Sequence, residues 1–254
     1  HNNAYDLIKN KTATLSRVIT VRDDIMNFLI SKGLPPDRAF NIMESVRKGV
    51  GLTEQDEELM VKHKVPDWYI TSCKKIKYLF PKAHATAYAI MSFRIAYIKV
   101  HYPLYFYADY FTREKSGFEY EYTGLSFDDV KNMLQSFKIK YDLEKKEEDH
   151  LKVLEVLLEA KERGVKFLNV DLYESEAEVF KVKGDKILPP LVLIPELGEK
   201  IAESIVRERK NGKFLSIENL LKRTRPKPNK NTIQFMKENK ILDLLPESDQ
   251  AILF

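Results

Sequence analysis

Residues 72–100 read Ser72-CKKIKYLFPKAHATAYAIMSFRIAYIK-Val100, and this stretch decides how the rest of the chain is read. A basic run, Lys74, Lys75 and Lys77, leads into a turn marked by Phe80-Pro81-Lys82. A long apolar helix is predicted to begin near His84 or Ala85 and to carry His84, Tyr88 and Arg94. Because it is apolar nearly all round, the pattern predicts a central, buried helix. A turn that sets Lys82 and His84 at such a helix start is a candidate anion site, since free N–H groups and the helix dipole both favour negative charge there. The residues alone favour slightly a plainer reading, a packed helix start whose polar groups are satisfied locally.

Outward from this helix, short-linked helical patterns follow one another. Thr20 is predicted to cap a helix with Asp23 as its third-position acid and Ile25, Met26, Phe28, Leu29 and Ile30 as its apolar face. Gly33 ends it, and Pro35-Pro36 open the next, with the face Ala39, Phe40, Ile42, Met43 and Val46. Thr53 caps a third and Pro66 starts a fourth; residues 1–19 read as an incoming segment without a fold of its own. After Pro103 come an aromatic helix to Phe111, a loop, a helix capped by Ser126 and an amphipathic helix over Glu147–Arg163. The only convincing strand signal is residues 178–188, a short hairpin turning at Gly184-Asp185. The fold class is therefore mostly α: a helical body, a short β-hairpin and a terminal helical module.

Composition bounds the function. Hydrophobic content of 44% is ample for a core, and 31% charged residues with few glycines fit a soluble helical protein. The single cysteine, Cys73, excludes a disulfide framework and a Cys-rich zinc site and fits a cytoplasmic location. No signal peptide and no membrane span is expected, and a chain opening at His1 reads as a piece of a longer one. Residues 186–240 hold 13 Lys/Arg against 6 Glu and no Asp, net +7, so the rest of a +4 chain carries −3. Such a basic module suggests a polyanionic partner; a solvated helical surface is the alternative.

Within that module, Leu193-IPELGEKIAES-Ile205 fits a helix-hairpin-helix, with a Pro-x-Leu-Gly turn between helices. Backbone N–H groups at such a turn approach a DNA phosphate. Gly198 would allow the approach, and Lys200, Arg209, Lys210 and Lys213 would add charge without sequence preference. An ordinary αα-hairpin with a Gly turn is the competing reading. The chain closes on Asp249-Gln250-Ala251-Ile252-Leu253-Phe254, a short anchor whose apolar side chains want a pocket, their own or a partner's.

The carboxylate pairs Asp23-Asp24, Asp128-Asp129 and Glu147-Glu148 sit at helix starts, where capping and solubility explain them. No P-loop, metal-spaced histidines or nucleophile constellation is visible, so no catalytic and no metal-binding residue is expected. The sequence shows binding chemistry without bond-making chemistry.

Lys74–Val100 with the following His101-Tyr-Pro-Leu-Tyr-Phe-Tyr-Ala108 resembles the fingers of PolC-type DNA polymerase III, the C-family replicative polymerases of bacteria. Arg22-Asp-Asp-Ile-Met, Phe40-Asn-Ile-Met-Glu-Ser-Val-Arg-Lys-Gly49, Val65-Pro-Asp-Trp-Tyr-Ile, Phe214-Leu-Ser-Ile-Glu-Asn-Leu and the closing Gln-x-x-Leu-Phe extend the resemblance through almost the whole chain. It implies a C-terminal fragment: fingers over residues 1–177, a helix-hairpin-helix duplex-binding domain over 178–245 and a clamp-binding tail over 246–254. It implies that Lys75, Lys82, His84 and Tyr88 face the incoming dNTP. It assigns Gly198, Lys200, Arg209, Lys210 and Lys213 to duplex and primer-template DNA, and Gln250, Ile252, Leu253 and Phe254 to a sliding clamp.

The family's Mg-binding palm aspartates are absent, so the fragment alone is expected to be inactive although its parent is a nucleotidyltransferase. Glu196 stands where the family usually has Gly, and Ala251 where Leu is usual, a loss of about 1–2 kcal/mol of apolar burial in docking. The alternative function is a non-catalytic DNA-binding or scaffolding protein carrying the same module.

Overall fold

The computed structural model describes residues 3–140 and 142–249. The chain forms two compact units, residues 1–94 and 95–254. The module expected over residues 178–245 lies within the second.

In the first unit, helices α1 (Asn3–Lys9), α2 (Arg22–Ser31), α3 (Pro36–Arg47), α4 (Glu54–Lys62) and α5 (Asp67–Lys75) precede the start of α6 (Lys82–His101). The apolar faces of α2 to α5 meet in one core of Ile25, Leu29, Ile42, Met43, Val46, Met60, Tyr69 and Cys73. Gly33, at φ +85°, turns α2 into α3, which opens at Pro36, where the missing N–H costs nothing. Thr53 caps α4: its hydroxyl accepts from the Asp56 amide at 3.2 Å, and the Asp56 carboxylate takes the Thr53 amide in return. Replacing Thr53 by alanine is expected to lower stability by about 1 kcal/mol. Urea unfolding followed by Trp68 fluorescence measures it, because the chain's one tryptophan sits in this unit.

Four expectations need correction here. The N-cap of α2 is Val21, not Thr20, and the acid that closes the start is Asp24, which takes the amides of Thr20 and Val21 and the hydroxyl of Thr20; Asp23 is turned elsewhere. The expected incoming segment does hold structure: α1 covers Asn3–Lys9, and Val18 and Ile19 at its end are buried. Phe40 is 50% exposed, because the α3 core stripe runs through Ala39, Ile42, Met43 and Val46 and leaves it to the side. Lastly, α6 begins at Lys82, two residues early, and no described residue of it is buried: Tyr88, Ile90, Met91, Phe93, Ile95, Tyr97 and Val100 are all exposed, Phe93 by 78%. An apolar helix lowers its free energy only when something covers it, and these apolar side chains stand exposed.

The second unit contains the end of α6, then α7 (Pro103–Arg113), α8 (Phe127–Ile139) and α9 (Lys145–Glu162). Tyr107 and Phe111 of α7 pack an aromatic core with Phe118, Phe167 and Phe180. Ser126 caps α8 through Asp129, as its sequence suggests. A close approach explains Gly117: a side-chain carbon there would lie 2.4 Å from the Asp149 carbonyl oxygen on α9.

Three short strands follow, β1 (Lys166–Phe167), β2 (Lys181–Lys183) and β3 (Lys186–Leu188), in the order β1-β3-β2. The antiparallel β2–β3 pair turns at Gly184-Asp185, the expected hairpin. Strand β1 runs parallel to β3 and is too short for any alternation to announce it. Helices α10 (Glu199–Arg209), α11 (Ile217–Arg223) and α12 (Lys230–Glu238) close the unit, with Ile205, Leu220 and Met236 in its core.

Candidate nucleic-acid interface

The most nearly complete binding geometry lies at the start of α10. A single helical turn, Leu191–Leu193, buries Leu191, Ile194 and Leu197 and so fixes the chain entering the helix. Gly198, at φ +64°, is the N-cap and has no side chain to close the first turn. The first bond of the helix runs from the Ala202 amide to the Gly198 carbonyl, 3.1 Å. The amides of Glu199, Lys200 and Ile201 therefore have no acceptor among the described residues, and they point out of a helix end carrying about half a positive charge. Nothing lies within 4 Å of a carbon built on Gly198, so the approach to these amides is open. Two acids that could block it are drawn aside. Glu199 pairs with Lys115 at 2.9 Å, and Glu196 accepts from Asn229 at 2.8 Å and from Asn231 at 3.4 Å.

Glu196 itself sits at φ +60°, a conformation that suits glycine and costs a side-chain residue roughly 1–2 kcal/mol. Its bonds to Asn229 and Asn231 offset part of that cost. They also tie the hairpin turn to the start of α12, with a further bond from the Thr232 hydroxyl to the Pro195 carbonyl at 3.3 Å. This tie brings in residues not singled out from sequence: Lys227 and Lys230, both exposed and without an ion-pair partner among the described residues. The signal was legible, because residues 222–230, KRTRPKPNK, hold five Lys/Arg and no acid. Arg223 in the same run is structural: it donates to the Gly212 and Lys213 carbonyls at 3.1 Å and lies over the Phe214 ring.

The sequence-expected DNA residues do not form one cluster. Gly198 and Lys200 stand at the start of α10, whereas Arg209, Lys210 and Lys213 stand at its far end, about 16 Å along the axis at 1.5 Å per residue. Lys200 and Lys210 are exposed, and the Lys213 ammonium lies over the Tyr173 ring at 5.8 Å. Arg209 faces inward with an 11% exposed side chain; it donates to the carbonyls of Leu172 at 3.0 Å and Ser175 at 2.6 Å.

In the first unit, His84 and Tyr88, four residues apart, share a side of the α6 start, whereas Lys82, two residues before His84 on the same helix, does not. Their surroundings are a ladder of rings: Tyr78 to Phe80 at 5.0 Å, Phe80 to His84 at 5.0 Å, His84 to Tyr88 at 4.7 Å. The Lys82 amide, however, donates to the Asp23 carboxylate at 2.7 Å, so this chain's own anion occupies that place at the helix end. Lys75 is exposed at the end of α5. The tail residues Gln250, Ile252, Leu253 and Phe254 lie outside the described residues.

Among the described residues no three His, Cys, Asp or Glu side chains are placed to hold a metal ion. Asp24, Asp56, Asp129 and Glu147 serve as helix caps, and Asp23 holds the Lys82 amide, so these carboxylates do not fit a magnesium centre. Burial pushes the Cys73 thiol up to about 12, which keeps it unreactive. No helix among the described residues is long and apolar enough to cross a membrane.

The helix-hairpin-helix motif family matches residues 164–251, which takes in β1 as well as the hairpin turn. Over its full length the chain is similar to DNA polymerase III PolC-type of Caldanaerobacter subterraneus, 49% identical over 254 residues, 100% of this chain and 18% of that one. It is 51% identical over 253 residues to DNA polymerase III PolC-type of Listeria welshimeri, 99% of this chain and 17% of that one. For the protein of the same description in Thermotoga petrophila the identity is 51% over 255 residues, 100% and 18%. The chain thus spans less than a fifth of the length of these curated relatives.

Proposed function

Because this chain belongs by sequence with PolC-type DNA polymerase III, to a segment of which it is related over its full length, we propose that it is a DNA-handling part of a replicative polymerase. The observation that carries the reading is the open start of α10, three free amides behind Gly198 in a stretch that matches the helix-hairpin-helix motif. A duplex phosphate received there gains hydrogen bonds and the helix dipole, and neither depends on base sequence. Lys200, Lys227 and Lys230 add counterion release around it. Lys210 and Lys213 extend the same charge to the far end of α10, within reach of the phosphates of a duplex lying alongside, which carries a charge about every 1.7 Å of axis.

In this proposal the start of α6 faces the incoming dNTP. With the Lys82 amide held by Asp23, the triphosphate contacts fall to the Lys75 and Lys82 ammonium groups and to His84, while Tyr88 packs on the sugar or base. Gln250, Ile252, Leu253 and Phe254 dock on the sliding clamp. The catalytic carboxylates and their divalent metal belong to a part of the polymerase outside this chain, and this chain alone binds without joining nucleotides.

The test is duplex binding measured by fluorescence anisotropy over a range of salt. With Lys200, Lys227 and Lys230 all changed to Ala, the slope of log affinity against log salt is expected to fall by roughly 2–3, near 0.9 for each phosphate no longer neutralised. A folded triple variant that keeps the original slope removes the α10–α12 face from the interface.

A further inference from the structure

We propose that a pocket between the end of α9 and the β1–β3 pair is a second seat for a phosphate group, apart from the hairpin turn. The pocket has a volume of about 360 Å³ and is lined by Thr123, Phe127, Lys161, Gly164, Val165, Lys166, Phe167 and Lys186. Three of these side chains are cations and none is an acid. Lys166 and Lys186 are direct partners in the parallel β1–β3 register, so two ammonium groups are held on neighbouring strands. Like charges set opposite each other on a sheet repel, and a shared anion relieves the repulsion.

Lys161 is the floor of the seat. Its ammonium donates to the Thr123 carbonyl at 3.2 Å and stands over the Phe167 ring at 5.2 Å. An ammonium has three N–H groups, and the other two have no acceptor among the described residues. Burial pushes its pKa below the usual lysine value, and no carboxylate opposes the shift. None of Lys161, Lys166 and Lys186 forms an ion pair with a described residue, although many other lysines of the second unit do, among them Lys99, Lys115, Lys138 and Lys183. The end of α9 contributes about half a negative charge, which three ammonium groups outweigh. A tetrahedral oxyanion suits this arrangement, since it offers one oxygen to each cation and a remaining one to water.

The phosphate has two possible sources: a backbone phosphate of DNA, which rests on the duplex-binding reading above, or a free phosphate or pyrophosphate. The full 254-residue chain is used. Lysine side-chain NMR signals are followed on titration with pyrophosphate, and duplex affinity is followed against salt for Lys161→Gln, Lys186→Gln and the exposed α8 control Lys131→Gln. The expected result is a saturable shift of the Lys161 signal. On DNA, each pocket variant is expected to bind about 3–10-fold more weakly than the Lys131→Gln control and to lower the salt slope by about 1. A Lys161 shift with unchanged slopes assigns the seat to the free anion; lowered slopes assign it to DNA. Lys186→Gln, at the rim, keeps the test open should Lys161→Gln fail to fold. No Lys161 shift together with slopes equal to the control overturns the proposal. Should the chain bind no duplex at all, the duplex-binding reading falls and the pyrophosphate titration decides the seat by itself.

Discussion

Replacing Gly49 by alanine is expected to destabilise the first unit by about 2–4 kcal/mol, among the largest effects of any single methyl added to this chain. Two costs act together. Gly49 has φ +74°, where a side chain strains the backbone by roughly 1–2 kcal/mol. A carbon built there also lies 2.4 Å from the Lys77 carbonyl oxygen and 3.2 Å from the Lys77 Cα, and backbone does not swing aside as a lysine tip would. The segment it would strike is held by the Leu79 amide on the Arg47 carbonyl at 3.3 Å, and it leads directly to Phe80 and the α6 start. Gly51 is the control. Its φ is +91° but nothing lies within 4 Å, so Gly51→Ala should cost only the backbone strain. Trp68 fluorescence during urea unfolding reads both variants. Equal losses for the two would show that the Lys77 contact is soft and that the delivery of the α6 start does not depend on Gly49.

The helices were legible because their signals are local. Thr53 and Ser126 cap as their spacing to Asp56 and Asp129 requires, Pro36 opens α3, and Gly184-Asp185 turns the hairpin. What the sequence could not convey is what a residue meets. The apolar pattern of α6 states that burial would stabilise it, not that this chain supplies the cover, and no described residue of α6 is buried. Asp23 and Asp24 are adjacent acids in the first turn of α2; Asp24 closes the helix start, while Asp23 engages the α6 start, 59 residues away.

The candidate interface shows the same division. Gly198 and its turn were found from Pro-x-Leu-Gly, a local motif. Lys227 and Lys230 were not: the basic run 222–230 shows their charge, but their place beside the turn comes from the Glu196 and Thr232 bonds. Glu196, which stands where the family usually has Gly, has its carboxylate held by Asn229 and Asn231 in a contact spanning more than thirty residues.

Arg209 is the sharpest case, and Arg209→Ala is expected to lower the stability of the second unit by about 2–4 kcal/mol while leaving the salt dependence of duplex binding unchanged. A charge count treats Arg209 and Lys210 alike, but one residue along a helix is a turn of about 100°, enough to move from an inward to an outward face. The Arg209 guanidinium joins α10 to the Leu172 and Ser175 carbonyls, beside Glu176 at 3.8 Å. The segment it holds is itself a tight turn, in which Asp171 accepts the amides of Tyr173 and Glu174 at 2.8 Å and Ser175 accepts the Asp171 amide at 2.9 Å. Hydrogen bonds to a charged donor are worth about 1.5–3 kcal/mol each, and truncation also leaves half-buried carbonyls without their partner. Lys210→Ala, by contrast, should change stability by less than about 0.5 kcal/mol, as is usual for an exposed site, and should lower the salt slope by about 1 if Lys210 meets a phosphate. Far-UV circular dichroism in urea reads the stability of both variants, and duplex anisotropy against salt reads their slopes. An Arg209→Ala protein with full stability and a slope reduced by about 1 would return Arg209 to the DNA face and show that the turn at 171–175 holds without it.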